Sequence, residues 1–429
     1  MGAMDGVIVL NTLALIGYGW VTARWLRSKH THSSVTWFLV AIQTWSLASS
    51  YVNDLGVYNP ELFRHTSPSA ATLVLACLYS VFNLTLHRMP ARPVVLAGAP
   101  RIQAVTSFVA WSGLAALLLT VLTYSLGFVQ QGIPIFTGMD RATFLAGAGG
   151  LHHQLIVSQP LLLAAAGFLW PTHRNVALGA LALLAVFTAM AGHKFSGLLE
   201  LVVWFFLTAV PTLAIRRIPL KPMAVMASIP VAATAVFYLR RDGALGAAFQ
   251  SAFDRIFKEQ GHIWWATFQA NVVSGDRPVG HAAQEMAALL GQPHGVTGLQ
   301  YLMLQALEGT GHESIAFGVY LYTMGFPAIL LTMMPLWATP LIMVGVGALV
   351  AWLTVQIRHH CIQRDAVGAM LLVMALLPLT STLFSGNLDA LQLRTWTVKL
   401  FLWSLWIAFG HPWLSTLKLR NANPEPGAP

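Results

Sequence analysis

Charge is what this sequence has least of. Only 9% of its 429 residues are Asp, Glu, Lys or Arg, against about 25% in an average soluble domain. That is too few to cover a water-facing surface, so a soluble enzyme and a disordered chain are both excluded. Cysteine is nearly absent: Cys77 lies in an apolar stretch and Cys361 in a basic loop. Two such thiols make no disulfide framework, and no CxxC or Cys/His zinc spacing exists. A Walker loop, GxSxG and HExxH are all missing, which argues against a nucleotide-driven pump and against the commonest hydrolase signatures. The opening MGAMDG has no Lys or Arg, so the first apolar run is expected to stay as a span rather than serve as a cleaved signal peptide.

What is present is apolar and blocked. Hydrophobic residues make up 56% of the chain and its mean hydropathy is +0.65. Between short polar breaks the apolar blocks run for about 20 residues, the length that crosses a bilayer core as helix. The alternation of a membrane β-barrel is missing. The sequence therefore reads as an all-α polytopic integral membrane protein with about eleven transmembrane helices. The expected spans are 7–23, 35–52, 70–87, 104–127, 151–170, 176–192, 197–214, 222–239, 338–357, 366–384 and 395–411. Residues 1–239 form the N-terminal span region and 240–337 one large external helical loop with a segment that re-enters the membrane. Residues 338–416 form the C-terminal spans, and 417–429 a tail disordered by composition.

The net charge of +9 is topological rather than a sign of nucleic-acid binding. One set of loops holds Arg24, Arg27 and Lys29, then Arg88, Arg92 and Arg101, then Arg174. It continues with Arg216, Arg217 and Lys221, then Arg358 and Arg364, then Lys418 and Arg420. Basic loops face the cytoplasm, so the other set (53–69, 128–150, 193–197, the large loop and 385–394) faces outward. Residues 249–268 have apolar residues at helical spacing and read as an amphipathic helix on or in the outer leaflet. Trp264 and Trp265 there suit sugar stacking or, more commonly, an interfacial belt. The Gly- and Pro-interrupted run 314–337 is expected not to span, because a span there would put the Arg358 loop outside.

Carboxylates and bases are scarce, so their places carry information. The outward segments supply Arg141, Lys194, Arg255 with Lys258 and His262 on one helix face, the adjacent His312 and Glu313, and Arg394. Each has a plain alternative: an Arg or Lys at a membrane edge pairs with headgroups, and a mixed-charge surface helix looks much the same. Arg394 also stands near Asp389. The adjacent His152 and His153 point different ways on a helix and make no metal site. Several cations around one or two bases suit a diphosphate-linked lipid substrate. Cations stabilise charge on a departing diphosphate, and a His or carboxylate activates the acceptor hydroxyl.

Five ordered blocks carry a family resemblance: GIPIFTGMDR (132–141), GHKFSGLL (192–199), DRIFKEQGHIWW (254–265), GLQYLM (298–303) and HESIAFGVYLYTMGFPAILL (312–331). In them the chain resembles the Wzy-type polymerases of bacterial surface polysaccharides, which are related to O-antigen ligases. The resemblance implies a GT-C-like fold in the bacterial inner membrane with its site facing the periplasm. It implies a metal-independent and cofactor-free glycosyltransferase that joins undecaprenyl-diphosphate-linked repeat units into O-antigen or exopolysaccharide. Implied partners are the lipid-linked donor and acceptor, membrane lipids, a flippase and a Wzz-like chain-length regulator. It places Arg141, Lys194 and Arg255 on the diphosphate or glycan, with Gln260, His262 and Lys258 in the same loop block, and His312 or Glu313 as the base. The ligases show His followed by Asn, Ser or Gln; Glu313 follows His312 here, which sets the chain apart from them. Three other readings stay open: a ligase-like glycan transferase, a lipid-linked glycan transporter, and a lipid-phosphate mannosyltransferase. A transporter calls for mid-depth polar groups, and the paired acids of the mannosyltransferases are not evident at Asp54 and Glu61.

Overall fold

A computed structural model describes residues 3–27, 32–59, 64–89, 100–137, 139, 141–147, 149–192, 195–212, 239, 246–247, 250, 253–254, 258, 261–275, 280–292, 295–306 and 325–416. Helix dominates them. Six helices among the described residues are long and apolar enough to cross a membrane: Asp5–Trp25, Ala71–Arg88, Ile102–Thr137, Trp170–Met190, Leu336–Ile362 and Ala366–Ser385. The chain is an all-α, membrane-embedded protein. It divides into two compact units, Met1–Ala91 with Val231–Val355 and Ala375–Thr397, and Arg92–Pro230 with Gln356–Met374 and Val398–Pro429.

In the first unit α1 (Ala3–Trp25), α2 (Ser34–Asp54) and α3 (Ala71–Arg88) pack on one another. α1 leaves Val9, Leu10, Leu13, Ile16 and Trp20 exposed, a face that hydrocarbon rather than water suits. α2 is different. It starts with a reciprocal cap, Thr36 N–H on Ser33 Oγ at 3.1 Å and Ser33 N–H on Thr36 Oγ1 at 2.9 Å. It then buries Gln43, Ser46, Ser49, Ser50, Asn53 and Asp54. A helix with that many buried polar groups needs protein partners, and it finds them in α1, α3 and α10 (His262–Phe268). Between α2 and α3 the chain makes a two-stranded ribbon, β1 (Tyr58–Asn59) antiparallel to β2 (Arg64–His65).

The large loop supplies α10, a π-helical turn at Gln269–Val273, α11 (His281–Leu289), α12 (Gly298–Ala306) and α13 (Ala328–Met333). Here the structure differs from the surface helix expected at 249–268. Every residue of His262–Phe268 is buried, Trp264 and Trp265 included, so they are core and not an interfacial belt. The cause is Gly261. A Cβ there would run into the backbone of Ser50, and its N–H donates to Ser49 Oγ at 2.7 Å. Trp264 then donates its indole N–H to the Ala71 carbonyl at 2.8 Å, tying α10 to the start of α3. Gly261→Ala is expected to destabilise this unit by about 1–3 kcal/mol, read as a lower unfolding temperature of the purified protein. α13, six residues and about 9 Å long, is far shorter than the roughly 30 Å apolar core of a bilayer.

The second unit holds α4 (Pro100–Gln131), α5 (Pro134–Thr137), α6 (Arg141–Gly147), α7 (Gly150–Gly167), α8 (Trp170–Met190) and α9 (Phe195–Thr212). α7 packs against α4 and α9 through the small residues Ala164–Gly167. Gly113 of α4 leaves no room for a Cβ beside Ala165, and Gly167 none beside Thr208, whose hydroxyl donates to the Ala164 carbonyl at 2.5 Å. Small residues let helix backbones approach where water supplies no hydrophobic drive. The C-terminal helices α14 (Thr339–Ile362), α15 (Ala366–Ser385), α16 (Leu393–Leu405) and α17 (His411–Thr416) complete the described chain, with a π-helical turn at Trp406–Gly410.

Candidate functional site

The polar residues of the first unit gather where α2 ends and α3 begins. Asp54 is 1% exposed and forms no salt bridge among the described residues. Instead it accepts four neutral donors: Ser69 N–H at 3.0 Å, Ser69 Oγ at 2.6 Å, Thr72 N–H at 2.9 Å and Asn11 Nδ2 at 3.1 Å. Two of these are backbone groups at the start of α3, where an anion meets the helix dipole. Asn53 donates to the Lys258 carbonyl at 2.9 Å and Asn59 to the same oxygen at 3.2 Å. This fastens the large loop to the ribbon.

Beside that layer lies a second buried carboxylate. Glu285 of α11 is fully buried, and its Oε1 accepts the Gly298 N–H at 2.6 Å. Asn387 Oδ1 accepts the next one, Leu299 N–H, at 2.7 Å. Together they cap α12 from two other parts of the chain. Gly298 has φ +60°, and a Cβ on it would meet Asn387, so glycine is required twice over. His281, one turn before Glu285, is 2% exposed and holds Nε2 3.1 Å from Glu285 Oε1 without hydrogen-bond alignment. Its ring stacks on Tyr301 with centroids 3.5 Å apart. Burial, then the charge of Glu285, pushes the Tyr301 phenol up, so it stays protonated at neutral pH. Glu285 Oε2 and His281 Nδ1 are buried with no hydrogen-bond partner.

The second unit has its own polar knot. His360 Nδ1 meets Asp365 Oδ2 at 2.8 Å, and Trp403 donates its indole N–H to His360 Nε2 at 3.0 Å. The indole fixes the tautomer: Nε2 accepts, so the proton sits on Nδ1 and is donated to Asp365. Trp406 adds a bond to Asp365 Oδ2 at 3.0 Å and Gly368 N–H one to Oδ1 at 3.1 Å. Burial alone would raise the Asp365 carboxyl; the donors, led by His360, outweigh it and hold the group below the ordinary carboxylate value. His360 and Asp365 have no solvent access, so this is a structural lock.

The residues singled out in the sequence fare unevenly. Arg255, Gln260, Lys194, His312 and Glu313 lie outside the described residues. Arg141 opens α6. Lys258 pairs with Asp254, Nζ to Oδ1 2.7 Å. His262 is fully buried in α10, not on the exposed face of a surface helix. Arg394, at the start of α16, is exposed and forms no ion pair with Asp389 among the described residues. Sequence reasoning missed His281 and Glu285, whose signal was a His four residues before a Glu in HAAQE.

Residues 292–398 match the model of a family of unknown function, DUF6418. That stretch includes Gly298, Tyr301 and Asn387, the side of the α12 cap that faces α11, while His281 and Glu285 precede it. No curated protein and no solved structure matches the chain.

Proposed function

We propose that this protein polymerises undecaprenyl-diphosphate-linked oligosaccharide repeat units at the periplasmic face of the bacterial inner membrane, with eleven spans in a GT-C-like arrangement. One observation carries the reading. In the first unit, segments that the charge pattern turns outward carry two hydrogen-bonded clusters, the ribbon with Lys258 and α10 against the end of α2, and α11 with α12 and Asn387, and Asn271 after α10 reaches Gln305 of α12 at 3.3 Å to make one polar layer of them. A transporter calls for its polar groups at mid-depth in the membrane. An enzyme acting on a lipid-linked glycan needs them at one face. Two of the five blocks of the Wzy resemblance, the end of 254–265 and all of 298–303, fall in that layer.

In this reading Arg255, helped by Arg394, holds the donor diphosphate. His312 or Glu313 takes the proton of the acceptor hydroxyl. The acceptor oxygen bonds to the anomeric carbon, the bond from that carbon to the phosphate oxygen breaks, and undecaprenyl diphosphate leaves. Lys258 reaches a phosphate only by exchanging Asp254 for it. Gln260 and His262 belong to the same loop block.

The test is deletion of the gene in its native host, complementation, and glycan analysis by gel and mass spectrometry. The expected result is single repeat units on the carrier or core after deletion, and long chains restored by the wild-type gene. Long chains that stay on the lipid carrier mean a ligase. Absence of external units means an exporter. Arg255→Ala with full-length polymer sinks the diphosphate assignment.

A further inference from the structure

The turn between α14 and α15, at the end that the charge pattern assigns to the cytoplasm, is built around Thr106 of α4. Its buried hydroxyl donates to the Arg364 carbonyl and accepts the Ala366 N–H at 3.0 Å. Arg364 N–H also bonds the Cys361 carbonyl at 3.1 Å. These bonds hold Arg364 at φ +54°, a conformation uncommon for a side chain larger than glycine. The acid next to it is unavailable, because both Asp365 oxygens are taken by His360, Trp406 and Gly368. Half-buried Arg364 has no ion-pair partner among the described residues.

Arg364 borders an open cavity of about 130 Å³; about 10–15 Å³ of such space holds one water. Its other polar walls are Gln103 and Ser107 of α4, and Thr172 and His173 of α8. Trp111 meets the His173 ring at 5.1 Å. His173 leaves helical geometry, at φ −134° and ψ 49°, at the start of α8. The hydroxyls of Ser107 and Thr172 rest on carbonyls of their own helices, at 3.1 and 3.4 Å, and can rotate away. No carboxylate among the described residues lines the cavity. Arg174, the next residue after His173, carries a second positive charge and stacks over Trp170 at 5.1 Å. A cation with amide, hydroxyl and imidazole donors and no competing acid selects an anion. Exposed Trp111 places the cavity beside lipid. Basic pockets between membrane helices on the cytoplasmic side take anionic headgroups.

We infer that the Arg364 cavity binds the phosphate of an anionic phospholipid in the cytoplasmic leaflet, separately from any site on the outward face. Arg364 engages the phosphate, and Gln103, Ser107, Thr172 and His173 receive its remaining oxygens. The site is independent of the polymerase reading.

The experiment uses the full-length protein in nanodiscs of phosphatidylcholine with a minor share of phosphatidylglycerol, followed by native mass spectrometry. Wild type is expected to retain phosphatidylglycerol over phosphatidylcholine. Arg364→Gln is expected to weaken that retention about tenfold, the loss of a hydrogen bond to a charged group. Ser107→Leu, which fills the cavity from an exposed position, has the same expected effect, and Arg24→Gln none. Equal retention by wild type and both cavity variants overturns the proposal. Displacement of the bound lipid by excess inorganic phosphate overturns the lipid source and leaves a soluble phosphate ligand in its place.

Discussion

Asp365→Ala is expected to lower the stability of the unit that contains it by about 3–5 kcal/mol. The carboxylate receives the His360 ring, the Trp406 indole and the Gly368 amide. Removing it leaves the buried His360 ring and Gly368 amide and the part-buried Trp406 indole without their acceptor, at about 1–3 kcal/mol of lost solvation for each buried donor. Asp365→Asn separates shape from charge. With its amide oxygen at the Oδ2 position it still accepts from His360 and Trp406, but its NH₂ then faces the Gly368 N–H, so a smaller loss is expected. The pH dependence has a definite sign. The carboxyl is held below its ordinary value of 3.8 in the folded state. Its contribution is therefore complete above that value and is lost as pH falls through the lowered one. Thermal unfolding of purified wild type and both variants, at neutral pH and in acid, measures all of this. Wild-type stability in Asp365→Ala would mean the knot is not a lock.

The helices were legible because lipid and protein demand different surfaces. The blocks at 7–23, 70–87, 104–127, 176–192, 338–357 and 366–384 all fall on helices apolar enough to cross a membrane. Helix α2 shows where hydropathy misleads. Its apolar residues mark a helix, but Ser49, Ser50, Asn53 and Asp54 turn toward protein, which composition along the chain does not reveal. The large loop failed for the opposite reason. The apolar spacing of Phe253, Ile256, Trp264 and Trp265 fits a lipid-facing helix and a buried one equally well. What decides between them is Gly261 against Ser50, a contact between residues more than 200 positions apart. An i, i+4 His–Glu pair such as His281 and Glu285 reads as a solvated helix face until its burial is known. Asn387 was seen as part of a loop, and its role as a cap for α12 depends on where Gly298 folds.

Glu285→Ala is the second large effect expected, again about 3–5 kcal/mol. The side chain performs two tasks at once. Its Oε1 accepts the Gly298 N–H at the start of α12, and its charge faces His281 at 3.1 Å with both groups buried. Alanine removes the cap and strands the histidine. Glu285→Gln keeps an oxygen for Gly298 and gives up only the charge, while placing an amide N–H₂ where Oε2 already lacks a partner. Glutamine is therefore expected to retain most of the stability, at a loss of about 1–3 kcal/mol. His281→Ala removes the buried ring that stacks on Tyr301 and lies 3.1 Å from Glu285, and should lower the unfolding temperature as well. Because α12 is the GLQYLM block and Asn387 holds its other capping bond, the alanine variants should also make less long-chain glycan in the complemented deletion host. That deficit should grow with temperature if the defect is folding, and stay constant if the pair handles a proton of the reaction. Unfolding temperatures with chain-length profiles at two growth temperatures separate these cases. A Glu285→Ala protein as stable as wild type would mean that α12 is capped by Asn387 alone.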